Sequence, residues 1–117
     1  YLPWSPLAGG VLSGKYLNGA RPQGSRWCKA QRNGLFRDNA TVNTAVQEYI
    51  KIAEKYDFSP AQLALSWCNQ VDGVSSTIIG ATSVAQLKED IIAFEKGLSD
   101  SALDEINTVL RQYPVPF

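Results

Sequence analysis

The chain has 117 residues, 44% of them hydrophobic and 19% charged, which suits one modest soluble domain with a real core. Eleven basic residues balance eleven acidic ones, so no net charge draws the chain toward nucleic acid or an acidic membrane. No window approaches the ~18 consecutive apolar residues of a membrane span, and the opening YLPWSPLAGG has neither the basic nor the apolar region of a signal peptide. Methionine is absent and the chain opens in an apolar run at Tyr1 and Leu2, both of which predict a piece of a longer protein. Cys28 and Cys68 match no metal or redox spacing. They read as a loop thiol and a buried thiol in a reducing compartment, the cytoplasm.

In chain order, Tyr1 to Ser5 is short, aromatic and apolar, which predicts a buried strand stopped by Pro6. A long loop follows, punctuated by Gly9, Gly10, Gly14, Gly19 and Gly24, with one helical turn expected near Val11 to Lys15. It continues through the basic, aromatic stretch Arg21 to Arg37. Loops this long in compact domains are usually functional or disordered. From Thr41, the residues Val42, Ala45, Val46, Tyr49, Ile50 and Ala53 fall on one helix face. Ser59 as N-cap and Pro60 at the first helical position open a second helix to about Asn69, apolar nearly all round and so buried. Asp72-Gly73 makes a turn, and Val74 to Ile79 reads as a second buried strand. Gly80-Ala81-Thr82-Ser83 then opens a third helix, with Ser83 and Gln86 spaced as a capping box. Its inward face is expected to be Val84, Leu87, Ile91 and Phe94, with Gly97 as its stop. Ser99 caps a last helix with Leu103, Ile106, Val109 and Leu110 as its stripe.

Strands alternating with helices predict a parallel α/β sheet. Two parallel strands cannot stand alone, so the chain either assembles or belongs to a larger sheet.

Two strand-to-helix junctions hold the candidate chemistry. At the second, Gly80 admits close approach to a ligand, and Thr82 and Ser83 bring hydroxyls to a helix start whose free N–H groups suit a phosphate. The same residues with Gln86 serve equally well to cap their own helix. At the first, Ser5, the backbone of Leu7 to Gly10, and Lys15 are composed to wrap a diphosphate, or to form a plain surface turn with a solvated lysine. A phosphate site made from the last two strand-to-helix loops recurs in eight-stranded α/β barrels. Neither a GxGxxG run nor a Walker lysine motif is present.

The run Trp4-Ser5-Pro6-Leu7-Ala8-Gly9-Gly10-Val11-Leu12-Ser13-Gly14-Lys15-Tyr16 resembles the loop after strand seven of the aldo-keto reductases. Ile79-Gly80-Ala81-Thr82-Ser83-Val84-Ala85-Gln86-Leu87-Lys88-Glu89-Asp90 resembles the segment after strand eight, and Ser59 to Trp67 resembles the family's helix seven. The likeness covers essentially the whole chain and is strongest to the bacterial-type reductases and the reductase-like β subunits of potassium channels. It implies an α/β fold: the C-terminal part, strands 7 and 8 with their helices, of a (β/α)8 TIM barrel, with residues 1–117 one fragment of that single domain.

The resemblance also implies an NADP grip. Trp4 would stand near the nicotinamide, and Ser5, Leu7, Ala8, Gly9 and Lys15 would follow the diphosphate. Arg26 would reach the 2′-phosphate side. Gly80, Thr82 and Gln86 would hold the 2′-phosphate and adenosine ribose, and Glu89 and Asp90 would meet the adenine. Two positions depart from the family pattern: Asp90, where Asn is usual and can donate as well as accept, and Gln86, where some branches carry Arg. The family's catalytic Asp, Tyr, Lys and His lie in the first half of the barrel. This chain has no histidine, and no residue here is assigned to that set. The resemblance implies a parent that reduces aldehydes or ketones by hydride transfer from NADPH, with the rest of the barrel upstream, a small carbonyl substrate, and neither nucleic acid nor membrane as partner. The alternative it implies is a reductase-like NADP-binding regulator. Trp27, Leu35 and Phe36 are either pocket-lining or anchoring residues.

Overall fold

The computed structural model describes residues 1–29 and 39–114. Two extended segments at the N-terminus and after Gly73 lie beside one another. Between and after them come 3-10 turns at Ala8–Ser13 and Leu17–Gly19, then α1 (Arg26–Lys29), α2 (Ala40–Lys55), α3 (Pro60–Gln70), α4 (Val84–Glu95) and α5 (Asp100–Gln112).

Each longer helix starts where a side chain answers the first free N–H groups. Asn39 Oδ1 accepts from Val42 N–H at 2.9 Å. Ser59 and Gln62 form a reciprocal capping box, with Pro60 at the first position. Ser99 accepts from Ala102 N–H at 3.2 Å. The stripe on α2 is buried as its spacing predicts, at Val42, Ala45, Val46 and Ala53, and the stripe expected on α5 is buried at Ile106 and Val109 and half-buried at Leu103 and Leu110, with Ala102 buried beside it.

These faces close two separate cores. One joins α2, α3 and α5 through Ile52, Ala53, Leu63, Ala102, Ile106 and Val109, with Leu98 from the turn before α5. The other gathers Ala8, Val11, Tyr16 and Trp27 of the loop region against Val42 and Val46 of α2. The first half of α2 therefore holds the loop and the second half holds the helical layer.

The two strands expected at Tyr1 to Ser5 and Val74 to Ile79 are reduced, among the described residues, to one parallel bridge, Trp4 with Ile78. Ile78 N–H donates to Pro3 O at 2.9 Å and Ser75 N–H to Tyr1 O at 3.0 Å. The direction is the one expected, but two segments without further neighbours do not sustain a regular ladder. Tyr1, Leu2, Trp4 and Ile78 are exposed rather than buried.

The inward face expected on α4 is also corrected. Val84, Leu87 and Ile91 are exposed, at 70%, 43% and 49%, and only Phe94 is partly covered. The face that meets α3 carries Asp90 and Ala93 instead. Ala93, fully buried, is small enough for α3 to come close, and Ser66 Oγ of α3 donates to its carbonyl at 2.6 Å.

Gly97 does not terminate α4 by a left-handed turn. The helix ends at Glu95, Lys96 is extended, and Gly97 has no positive φ. The turn is instead pinned from α3: Ser66 Oγ also lies 2.9 Å from Lys96 O, and the Gln70 amide accepts from Leu98 N–H and donates to Leu98 O. Ser66→Ala is therefore expected to cost about 1–2 kcal/mol, the usual penalty for stranding buried acceptors, whereas Gly97→Ala, which meets nothing within 4 Å, is expected to cost nothing measurable. Denaturant unfolding of the two variants side by side checks both.

Candidate functional site

The parallel bridge fixes where the two junctions emerge. Trp4 and Ile78 are partners running in the same direction, so Ser5 to Tyr16 and Gly80 to Ser83 leave from the same, C-terminal, end of the pair. In parallel α/β sheets that end is where ligands bind.

The first junction is an unusual backbone. Ser5, Ala8, Gly9 and Gly10 have φ of 58°, 50°, 70° and 99°. For Ser5 and Ala8 this is strained territory, of the kind that functional loops store. The loop satisfies much of itself. Ser5 O accepts from Ala8 N–H at 2.8 Å, Leu7 O accepts from Gly10 and Leu12 N–H, and Ser5 Oγ accepts from Gly9 N–H at 3.2 Å. Ser13 Oγ donates back to Gly10 O at 2.7 Å. Ala8 faces the second core and is buried. A Cβ on Gly10 would stand 2.8 Å from Lys15 Cε, so the lysine stem folds back over that glycine. Lys15 is exposed, with Nζ 5.2 Å from the Tyr16 ring centroid. Arg26 is exposed at the start of the one-turn α1. Among the described residues no carboxylate pairs with either cation, and both are therefore available to an anion.

The second junction is the N-terminus of α4. Gln86 N–H donates to Ser83 Oγ at 3.2 Å, the first half of the capping box. The other half is replaced. Gln86 Oε1 accepts from Thr82 N–H and from Thr82 Oγ1, each at 2.9 Å, instead of reaching Ser83 N–H. Thr82, Ser83 and Gln86 are exposed and cap their own helix here. Gly80 is exposed and faces open space, with no left-handed φ, so its own conformation does not demand glycine. Trp4 is 77% exposed at the end of the paired segment.

Glu89 and Asp90 sit one helical turn further on and face α3 more than the open end. Glu89 accepts a hydrogen bond from Ser59 Oγ, the residue that caps α3. Asp90 is buried. Its burial, and then the neighbouring Glu89 charge, push its carboxyl above the ordinary carboxylate range. Trp27 is buried in the second core as an anchor, while Leu35 and Phe36 lie outside the described residues.

Behind the first loop is an apolar cavity of about 250 Å³, bounded by Pro6, Ala8 and Leu12 on one side and by Leu63, Trp67 and Cys68 on the other. Sequence reasoning did not single it out, since it arises only where α3 and α5 meet the loop. Burial pushes the Cys68 thiol up, keeping it protonated and a poor nucleophile. Cys28 is exposed and both cysteines are free. Among the described residues no group of acidic, histidine or cysteine side chains could hold a metal, and no helix is long and apolar enough to cross a membrane.

The Aldo/keto reductase family model matches residues 1–111, and the chain belongs to that family. It is 39% identical over 115 residues to "Protein tas" of Escherichia coli (strain K12), covering 98% of this chain and 33% of that protein, and equally to "Protein tas" of Shigella flexneri. To the "Probable voltage-gated potassium channel subunit beta" of Arabidopsis thaliana it is 37% identical over 115 residues, covering 95% of this chain and 35% of that protein. The chain thus spans about a third of the length of these relatives. The family implies a (β/α)8 TIM-barrel fold, to which the parallel direction of the Trp4–Ile78 pair conforms.

The sign of the Asp90 effect is open to test. A carboxyl raised above its unfolded value contributes stability below that unfolded value and loses it as pH rises through the folded value. Asp90→Asn is therefore expected to stabilise the fold near neutral pH, with the advantage shrinking as pH falls through the raised folded value and gone below the ordinary carboxylate value of about 4. Thermal unfolding of both proteins across that pH range measures it, and an unchanged melting temperature at neutral pH would contradict the assignment.

Proposed function

We propose that this chain is the C-terminal part of an NADP-dependent oxidoreductase barrel, strands 7 and 8 with their helices, and that it supplies the grip on the cofactor rather than the catalytic groups. The observation that carries this reading is the emergence of both junctions from one end of a parallel pair. Members of the family generally use NAD(P)H. The residues here fit such a group: a strained glycine loop with a hydroxyl at Ser5, two exposed cations at Lys15 and Arg26 that pair with no carboxylate among the described residues, and a helix start at Thr82 to Gln86.

When bound, NADPH would supply the hydride that reduces an aldehyde or ketone. The roles of this chain are binding and orientation. Lys15 and the Ser5–Gly10 loop neutralise and seat the diphosphate. Arg26 meets the 2′-phosphate. Thr82 N–H and Oγ1–H, which donate to Gln86 Oε1 here, would turn to the 2′-phosphate, and the freed Gln86 amide would turn to the phosphate and ribose through its N–H groups. Trp4, exposed at the end of its segment, covers one side of the nicotinamide. Glu89 and Asp90 bound the adenine end, Asp90 as an acceptor when ionised. The proton donor lies on another part of the barrel.

A second reading is favoured by one specific observation, the 37% identity to a potassium-channel β subunit: a regulator that binds NADP without significant turnover. Titration of the full-length protein with NADPH and with NADH, read by quenching of tryptophan fluorescence, tests the shared part. Saturable binding that favours NADPH by about tenfold or more is expected, and no binding of either would overturn both readings. Consumption of NADPH with a panel of aldehydes and ketones then separates enzyme from regulator.

A further inference from the structure

The two cations assigned to the cofactor phosphates are each followed directly by an aromatic ring, Lys15 by Tyr16 and Arg26 by Trp27. In the fold these two rings meet. Their centroids are 4.2 Å apart and their planes 4° from parallel. Tyr16 is 3% exposed and Trp27 6%, and both pack on Val42 and Val46 of α2. The Tyr16 hydroxyl also accepts from Trp27 N–H at 3.4 Å. Lys15 lies over one ring and the Arg21 guanidinium over the other, 4.8 Å from its centroid, an arrangement that favours stacking by withdrawing charge from the ring faces.

Within the chain between the rings, Ala20 N–H closes a local turn on Leu17 O at 3.1 Å and the Arg21 side chain donates to Ala20 O at 2.9 Å. Asn18 to Gly24 is exposed throughout, and Asn18, Gly19 and Gly24 have positive φ. Asn18 N–H reaches Asn43 Oδ1 of α2 at a long 3.3 Å, and Ser25 N–H closes a local turn on Pro22 O. The ring pair thus links the backbone at Lys15 directly to the backbone at Arg26.

We propose that the Tyr16–Trp27 stack is a positioning clamp that fixes the Arg26 arm relative to the Lys15 loop, and so sets the preference for NADP over NAD. The proposal rests on the reading that Lys15 meets the diphosphate and Arg26 the 2′-phosphate. NADH lacks the 2′-phosphate and gives the arm nothing to hold, whereas NADPH engages the loop and the arm together. Loosening the clamp therefore removes affinity for NADPH selectively, because an arm held less firmly must be ordered at the moment of binding.

The Trp27 indole N–H is buried without a hydrogen-bond partner among the described residues, so the position calls for a ring and not for that donor. Trp27→Phe keeps a ring and is the conservative control.

The test compares wild type, Trp27→Leu, Tyr16→Leu and Trp27→Phe in the full-length protein, with dissociation constants for NADPH and NADH measured separately. Trp27→Leu and Tyr16→Leu are expected to weaken NADPH by about tenfold and NADH by less than about threefold, while Trp27→Phe stays within about threefold of wild type for both. Equal losses for the two cofactors would make the stack merely structural and overturn the clamp, as would leucine variants that keep the wild-type ratio. A wild type with no preference for NADPH would overturn the phosphate assignments themselves, and the clamp with them. If neither leucine variant folds, hydrogen exchange of wild type decides. Residues 17–29 are expected to be protected more by NADPH than by NADH, and equal protection overturns the proposal.

Discussion

The parallel pairing of Trp4 with Ile78 is the constraint on which the rest of the account depends. Because both segments run the same way, the loop after Ser5 and the turn after Ile79 open at one end. An antiparallel pairing of the same residues would have sent them to opposite ends, and no shared ligand could touch both. The pairing is modest by itself, a single bridge with a few backbone hydrogen bonds. It is supported from behind by α3, which packs on α4 and on the 3-10 turn at Ala8–Ser13.

The division of the interior into two cores follows from where the loop after Ser5 sits. A loop with several positive-φ residues cannot be held by regular hydrogen bonding along a strand or helix. It is held instead by side chains: Val11 and Tyr16 reach α2, and Trp27 returns from eleven residues further on to cover Tyr16. This small core fixes a loop that carries an entropic penalty from its glycines and strain from Ser5 and Ala8. The larger core, built on α2, α3 and α5, carries none of the candidate ligand contacts and provides the rigid platform.

The helices were legible because their signals are local. Ser59-Pro60, Ser99 and the stripes of α2 and α5 specify starts and buried faces within one or two turns of chain. The strands were legible in direction but not in extent, since a ladder needs neighbours that two segments cannot give each other. The face of α4 was misread for a related reason. Periodicity marks which residues are apolar, not which neighbour is present, and the neighbour here is α3, met through Ala93 and Asp90 while Val84, Leu87 and Ile91 stay exposed. Gly97 looked like a helix stop, but a side-chain bracket from Ser66 and Gln70, far away in sequence, does that work. Among the candidate site residues, the loop's positive φ values agree with its glycines. The self-capping of Thr82 by Gln86 is one of the two readings that their local spacing offers. The Ser59–Glu89 hydrogen bond and the burial of Asp90 depend on the packing of α3 on α4, which no local pattern encodes.

The central claim is that both junctions belong to one NADP site. Hydrogen exchange of the full-length protein, with and without saturating NADP, tests it most directly, because it reads the two junctions independently in one experiment. The account predicts slowed exchange in residues 5–16 and in residues 80–90 together, with the same dependence on cofactor concentration. Slowing confined to one junction, or to neither while the protein binds the cofactor, would contradict it.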